Sequence, residues 1–455
     1  MGHPDSVDDA ISEIFSLSLA RRKDMDTIWV HPLVHSWSRE RLDQAEEARK
    51  ALHAISLVAA AVSVDRSAHQ KVENWVKERS LLPHIQRCVP RICRNWSAGN
   101  IDIGTSQRDD FKTLAKILPY HAEHALANEL YRWILPREEK SLGKDHPDTI
   151  STVHYMANMF RRQGKYDEAL KYYRRALAGK EKSLGKDHLD TLHTVHGMAV
   201  VFRNQGKYNE ALECYRRALA GKEISLGKDH PGTLSTVHGM AVVFRNQGKY
   251  HEALEWYLRA LAGQEKSQGK DHPATLSTVY GTAVVFRDQG KYDKALEWCR
   301  RALSGQEKSL GKGHPATLSI VHGMASVFRG QGKYDEALER YRQALAGEEK
   351  SLGKEHPATL STIHDIAVVF QKQGKYDQAL EWYSRALAGQ EKSLGSNHPA
   401  TLSTVCGMAT AFQGRVNERR GTKVLRRALH SQEDSLGKNY LQSPTTSCDI
   451  AEMLR

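Results

Sequence analysis

A 42-residue period is the strongest constraint on this chain. The pair His-Pro, once His-Leu, begins at His146, His188, His230, His272, His314, His356 and His398, and Tyr166, Tyr208, Tyr250, Tyr292, Tyr334 and Tyr376 keep the same step. Self-similarity at a fixed period of this length means one supersecondary unit stacked on copies of itself. With 455 residues the chain is also too long for a single globular core. A stacked array, whose core grows lengthwise, resolves that. Repeats start at residues 150, 192, 234, 276, 318 and 360, a degenerate one starts at 402, and a half-repeat lies near 106–141.

The unit from Leu192 to Thr233 shows what each copy must be. In its first half Val195, Met198, Ala199 and Phe202 fall on one face of an amphipathic helix. In its second half Tyr208, Ala211, Leu212, Tyr215, Ala218 and Leu219 do the same. The breaker Asn204-Gln205-Gly206-Lys207 between them is so short that the two helices must lie antiparallel. The small alanines allow close backbone approach beside the larger Phe202 and Tyr215. Gly227 stands where a left-handed helix stop belongs, and Pro231 where a helix start does. One His per repeat, with neighbours varying from Asp187 to Gly313 to Asn397, lacks the clustering of a metal site and reads as a cap.

Composition removes several function classes. The apolar run Ala51 to Val64 is too short to span a bilayer and carries His53. An acidic, polar N-terminus without a charged-then-apolar leader sets the expectation of a cytoplasmic protein. Cys88, Cys93, Cys214, Cys299, Cys406 and Cys448 show no paired CxxC spacing, so neither a zinc site nor a disulfide framework is expected. The nearest approach to a phosphate-cradling loop, Gly305 to Gly311-Lys312, has five residues between its glycines and Gly313 after the lysine, which breaks the motif. No zinc-protease, nucleophile-elbow or kinase signature is present. The expectation is a protein without catalytic residues, metal or cofactor.

The pattern of Gly206, Tyr208, Ala211, Tyr215 and Ala218, with Met198, Ala199 and Phe202 in the other half, resembles the tetratricopeptide repeat. The 42-residue length and the linker SLGKDHP are similar to the subclass found in kinesin light chains and in fungal NLR-like (NB-ARC/NACHT-TPR, STAND) proteins. The resemblance covers about residues 120–440. It implies an all-α fold, a right-handed superhelical solenoid of helical hairpins over residues 106–455, whose concave groove binds a protein or peptide. Upstream, a helix-like Ile11 to Ala20, the β-rich Ile28-Trp29-Val30 and a helix-like His31 to Trp37 follow an order similar to the end of a winged-helix module. The domains expected are therefore a partial winged-helix-like segment at 1–42, a helical connector at 43–105 and the solenoid at 106–455. By the same resemblance the chain is the ligand-sensing scaffold part of an NLR-like signalling protein. The alternative is a kinesin-light-chain-like cargo adaptor, but residues 1–120 show no sustained heptads for a motor-binding coiled coil.

Beside the core stripe, the first helix of each unit carries a second one. One register reads His154, His196, His238, Tyr280, His322, His364 and Cys406, and another reads Arg161, Arg203, Arg245, Arg287, Arg329, Gln371 and Gln413. By the resemblance these line the groove. Any single Arg can pair with a carboxylate on a neighbouring helix, whereas five in register describe a basic channel for an acidic segment, because Arg presents a planar fork to carboxylates. The formal charge of +12 supports this: residues 1–130 hold 17 basic against 18 acidic residues, so the surplus belongs to the repeats. Nucleic acid is disfavoured because the stripe lacks regularly interleaved aromatics. The histidines, expected to be exposed, would make binding strengthen as pH falls. Relatives carry an Asn pair where this chain has His196-Gly197 or His238-Gly239, so their clamp on a peptide backbone is absent here.

Overall fold

A computed structural model of the chain describes residues 20–24, 27–30, 105–118 and 124–415 apart from 397, with single positions at 85, 86 and 89. The chain divides into two compact units, residues 1–64 with 80–113 and residues 65–79 with 114–455. In the first, β1 (Ala20–Asp24) and β2 (Thr27–Val30) form an antiparallel hairpin in which Arg21 lies opposite Trp29 and Arg22 opposite Ile28. Ile28-Trp29-Val30 is thus a strand, as its composition indicates, while Ala20 opens a strand instead of closing a helix. The rest of the winged-helix-like segment and almost all of the connector lie outside the described residues. Helix α1 (Thr105–Ile117) spans the division between the units.

The second unit is a stack of helical hairpins. Helix α2 (His124–Ser141) packs on the first of them, α3 (Pro147–Arg162) with α4 (Tyr166–Leu184). Then come α5 (Leu189–Asn204) with α6 (Tyr208–Leu226), α7 (Pro231–Asn246) with α8 (Tyr250–Ser267), and α9 (Pro273–Asp288) with α10 (Tyr292–Leu310). They are followed by α11 (Pro315–Gly330) with α12 (Tyr334–Ser351), α13 (Pro357–Lys372) with α14 (Tyr376–Ser393), and α15 (Pro399–Gly414). The first helices begin three residues earlier than the expected starts at 150, 192 and so on, because the linker proline is itself the first helical residue. Of the degenerate repeat at 402, only α15 is described.

The linker works as a stop followed by a start. Gly227, at φ 88°, ends α6, and the Thr233 hydroxyl donates back to the Gly227 carbonyl at 2.9 Å. The His230 Nδ1 accepts from the Gly232 amide at 3.0 Å, satisfying one of the orphan N–H groups of α7. Every linker histidine from His146 to His398 caps in the same way. Within a hairpin the turn is a Schellman motif: Gly206 takes φ 74° and the Lys207 amide donates to the Phe202 carbonyl at 2.9 Å.

No hairpin buries both of its stripes alone. One continuous cluster joins Leu338 and Tyr341 of α12, Ile363 and Ile366 of α13, Tyr383 of α14 and Ala411 of α15. Alanines at 199, 211 and 218 and their counterparts are fully buried, which lets backbones approach closely. Successive first helices touch one another along the stack more than successive second helices do, so curvature places the first helices on the inside. The stack curls far enough that an ideal Cβ on Gly164, in the first turn, would lie 3.2 Å from the His398 ring at the start of α15.

Candidate functional site

The inner face carries the two predicted ladders, and the histidines prove to be staples. His154, His196, His238 and His364 each place Nδ1 2.9 to 3.3 Å from the Thr Oγ1 of the next first helix, at Thr194, Thr236, Thr278 and Thr404. Each of those hydroxyls donates its own proton to a backbone carbonyl one turn earlier, so the oxygen accepts and the ring is the Nδ1–H tautomer. The rings also meet Tyr173, Tyr215, Tyr257 and Tyr383 edge to face, with centroids 5.2 to 5.5 Å apart. Burial therefore pushes His154 and His364 below the ordinary imidazole range, His196 down to about 3 and His238 to about 4, with neighbouring cations adding to it for His154, His196 and His238. The expectation of an exposed ladder titrating near pH 6.5 does not hold.

At Tyr280 the ladder changes partners. Where other hairpins pair a His with a Tyr, this one pairs Tyr280 with Cys299, and the two residues share one core cluster. The ring volume has moved from the second helix to the first. Its phenol, deeply packed, is pushed up to about 12. His322 also departs from the pattern: its Nε2 lies 2.8 Å from Asp365 Oδ2.

The arginine ladder splits in two. Arg203 donates from Nε and Nη2 to Asn204 Oδ1 at 3.3 and 3.2 Å, and Arg245 donates to Asn246 Oδ1 at 3.0 Å. Neither Arg161 nor Arg203 has a carboxylate within ion-pair distance among the described residues, and Arg245 reaches Asp288 only at 3.8 Å. Arg287 instead holds Asp288 Oδ1 through Nε (3.0 Å) and Nη2 (2.7 Å), and Arg329 donates to Asp365 Oδ1 at 2.7 Å. Burial alone would raise the Asp365 carboxyl, but the hydrogen bond from His322 and the charge of Arg329 hold it well below the usual range.

Beneath the histidines runs a buried polar register that sequence reasoning missed: Lys180, Lys222, Gln264, Gln306, Glu348 and Gln390. Lys222 Nζ donates to the Gly232 carbonyl (3.2 Å) and to Thr236 Oγ1 (3.0 Å), and burial lowers its pKa to about 8. Burial raises Glu348, against a Thr362 hydrogen bond. The inner face is thus most basic toward its amino-terminal end and gains Asp288, Glu348 and Asp365 further along. The signal available in the sequence was the departure of these positions from an otherwise repeated register.

The second helices use their charges differently. Arg175 pairs with Glu139 and Arg217 with Glu181, both at 2.5 Å, and Arg259 with Glu223, Arg301 with Glu265 and Arg385 with Glu349 continue the series. These cations are already matched across hairpins, in contrast to Arg161 and Arg203. Among the described residues no group of three or more His, Cys, Asp or Glu is placed to hold a metal ion, and no helix is long and apolar enough to cross a membrane.

Comparison with known proteins agrees with this architecture. A tetratricopeptide-repeat family model matches in seven overlapping stretches, 122–182, 148–224, 190–266, 232–304, 277–350, 319–392 and 358–418. No curated protein matches. Among solved structures, a kinesin-light-chain-type protein of nearly identical TPR-like repeats from Podosopora anserina is 28% identical, with 45% of this chain and 98% of that chain covered and a TM-score of 0.38. A Rap protein complexed with competence and sporulation factor is 12% identical, with 86% and 99% covered and a TM-score of 0.53. The apo quorum sensor NprR from B. thuringiensis is 14% identical, with 81% and 99% covered and a TM-score of 0.50. With its family model spanning residues 122–418 and its hairpins stacked as described, the chain belongs to the tetratricopeptide-repeat family.

Proposed function

We propose that this solenoid is a protein-binding scaffold whose inner face takes an acidic segment of a partner. The observation that carries the reading is the register of Arg161, Arg203 and Arg245 on successive inner helices: among the described residues the first two have no carboxylate within ion-pair distance, and Arg245, held by the Asn246 amide, meets Asp288 only at 3.8 Å. Exposed charge pairs contribute about 0.5–1 kcal/mol each, so three together change affinity by roughly ten- to a hundredfold. The test is fluorescence anisotropy of a capped, fluorescein-labelled hexaglutamate titrated with the whole chain at low and high salt. Replacing Arg161, Arg203 and Arg245 with Gln should weaken binding by about that factor and flatten the salt dependence. Equal affinity and equal salt dependence in the variant would end the proposal.

The β1–β2 hairpin lies in a segment whose residues resemble the end of a winged-helix module. That supports placing the scaffold in an NLR-like signalling protein as its ligand-sensing part. Co-purification of a kinesin motor chain with the protein would favour the cargo-adaptor reading instead.

A further inference from the structure

Because the hairpins are near copies, inner-face positions where one departs from the rest mark places that differ in use. Between the second hairpin and the sixth, the register of Gly330 otherwise holds Asn204, Asn246, Asp288 and Lys372, a second glycine coming only at Gly414 of α15. That of Ser326 otherwise holds Val200, Val242, Val284 and Val368, with Asn158 and Thr410 at the two ends of the array. Asp365 stands where Gly197, Gly239, Gly281 and Gly323 stand elsewhere. The departures converge in space. A cavity of about 630 Å³ opens between α9, α11 and α13, lined by Arg287, Asp288, Ser326, Arg329, Gly330 and Lys372.

Gly330 creates both the room and the arrangement. With no side chain there, Arg329 lacks the adjoining amide that Arg203 and Arg245 use, and its Nη1 turns to Asp365 at 2.7 Å. A side chain at 330 would also displace Tyr292, whose Cε1 lies 2.7 Å from an ideal Cβ. Arg287 is held by Asp288, and its Nη1 donates to Ser326 Oγ at 3.3 Å. Two guanidinium groups are therefore fixed in place before any ligand arrives. Lys372 is different: it is exposed, and its ammonium has no hydrogen-bond or ion-pair partner among the described residues. Two carboxylates already serve two arginines, which leaves the lysine charge uncompensated at the rim of a concave pocket of ligand size.

We propose that this cavity is the specificity pocket of the groove, seating one carboxylate side chain of an acidic peptide partner against Lys372, with Arg287 and Arg329 donating from their remaining N–H groups. The inference rests on the acidic-segment reading above and adds the place where the segment is read. Its test uses the same hexaglutamate probe, with hexaglutamine as the blank and circular dichroism as the folding control. Lys372→Gln changes an exposed side chain and keeps the fold. Gly330→Asn installs the residue that two sister hairpins carry, as Asn204 and Asn246, and fills the space. Each is expected to weaken hexaglutamate binding by about fivefold. If both variants bind as the wild type does while Arg203→Gln with Arg245→Gln weakens binding, the pocket is refuted and the groove reading stands. If the wild-type chain binds hexaglutamate no better than hexaglutamine, both fall.

Discussion

Replacing His196 and His238 with Gln should remove a measurable part of the solenoid's sensitivity to acid. Burial holds these rings at about 3 and about 4, whereas an unfolded His titrates near 6.5. Both folded values lie below the unfolded one, so the unfolded chain takes up the protons first. The resulting penalty is absent above pH 6.5 and grows as pH falls toward the folded pKa. At pH 5 the solution is about 1.5 units below the unfolded value while both rings are still neutral when folded, which costs about 2 kcal/mol apiece and about 4 kcal/mol for the pair taken as independent. The Gln variant loses the Thr236 and Thr278 hydrogen bonds and the ring contacts with Tyr215 and Tyr257. At pH 7.5 it should therefore be less stable by roughly 1–3 kcal/mol. Between pH 7.5 and 5, however, it should lose about 4 kcal/mol less than the wild type. Urea unfolding followed by circular dichroism at the two pH values reads this, with proton NMR titration of the His rings as a companion. Losses that agree within about 1 kcal/mol, or either ring titrating near 6.5, would refute the reasoning. The same burial predicts that hexaglutamate affinity is flat between pH 7.5 and 6.

Two further outcomes probe the packing. Tyr280→His alone leaves a void beside Cys299, and Cys299→Tyr alone overfills it, but together they reproduce the pairing of the other hairpins; a double-mutant cycle by thermal unfolding should show a favourable coupling of at least about 1 kcal/mol. Gly239→Ala gains about 1 kcal/mol of helix propensity, yet its Cβ would lie 2.7 Å from Cε1 of the fully buried Tyr215, so a net loss of up to about 2 kcal/mol is expected, whereas Gly313→Ala, with nothing within 4 Å, should change little.

What was legible in the residues was whatever depends on near neighbours in the chain. Helix phase, the turn at Gly206, the stop at Gly227 and the cap at His230 all follow from groups a few residues apart, and the 42-residue repetition made the turn readable six times over and the stop and the cap seven times. The ladders were legible as registers for the same reason. Their chemistry was not. His196 looks like an exposed groove residue in one dimension, but the Tyr215 ring and the Thr236 hydroxyl that shield it arrive from another helix and another hairpin. Arg203 and Arg329 occupy equivalent positions, and among the described residues only the stacking brings Asp365 to Arg329 and no carboxylate within ion-pair distance to Arg203.

The sequence by itself therefore determined the unit: two amphipathic helices, their boundaries and the need to stack, because periodicity and capping are local. Tertiary structure decided which repeated side chains remain available. The curvature sets which face is inner, brings Gly164 against His398 across most of the array, and opens a cavity beside Gly330. Each of these depends on summing a small rotation from one hairpin to the next, a quantity that no single unit contains.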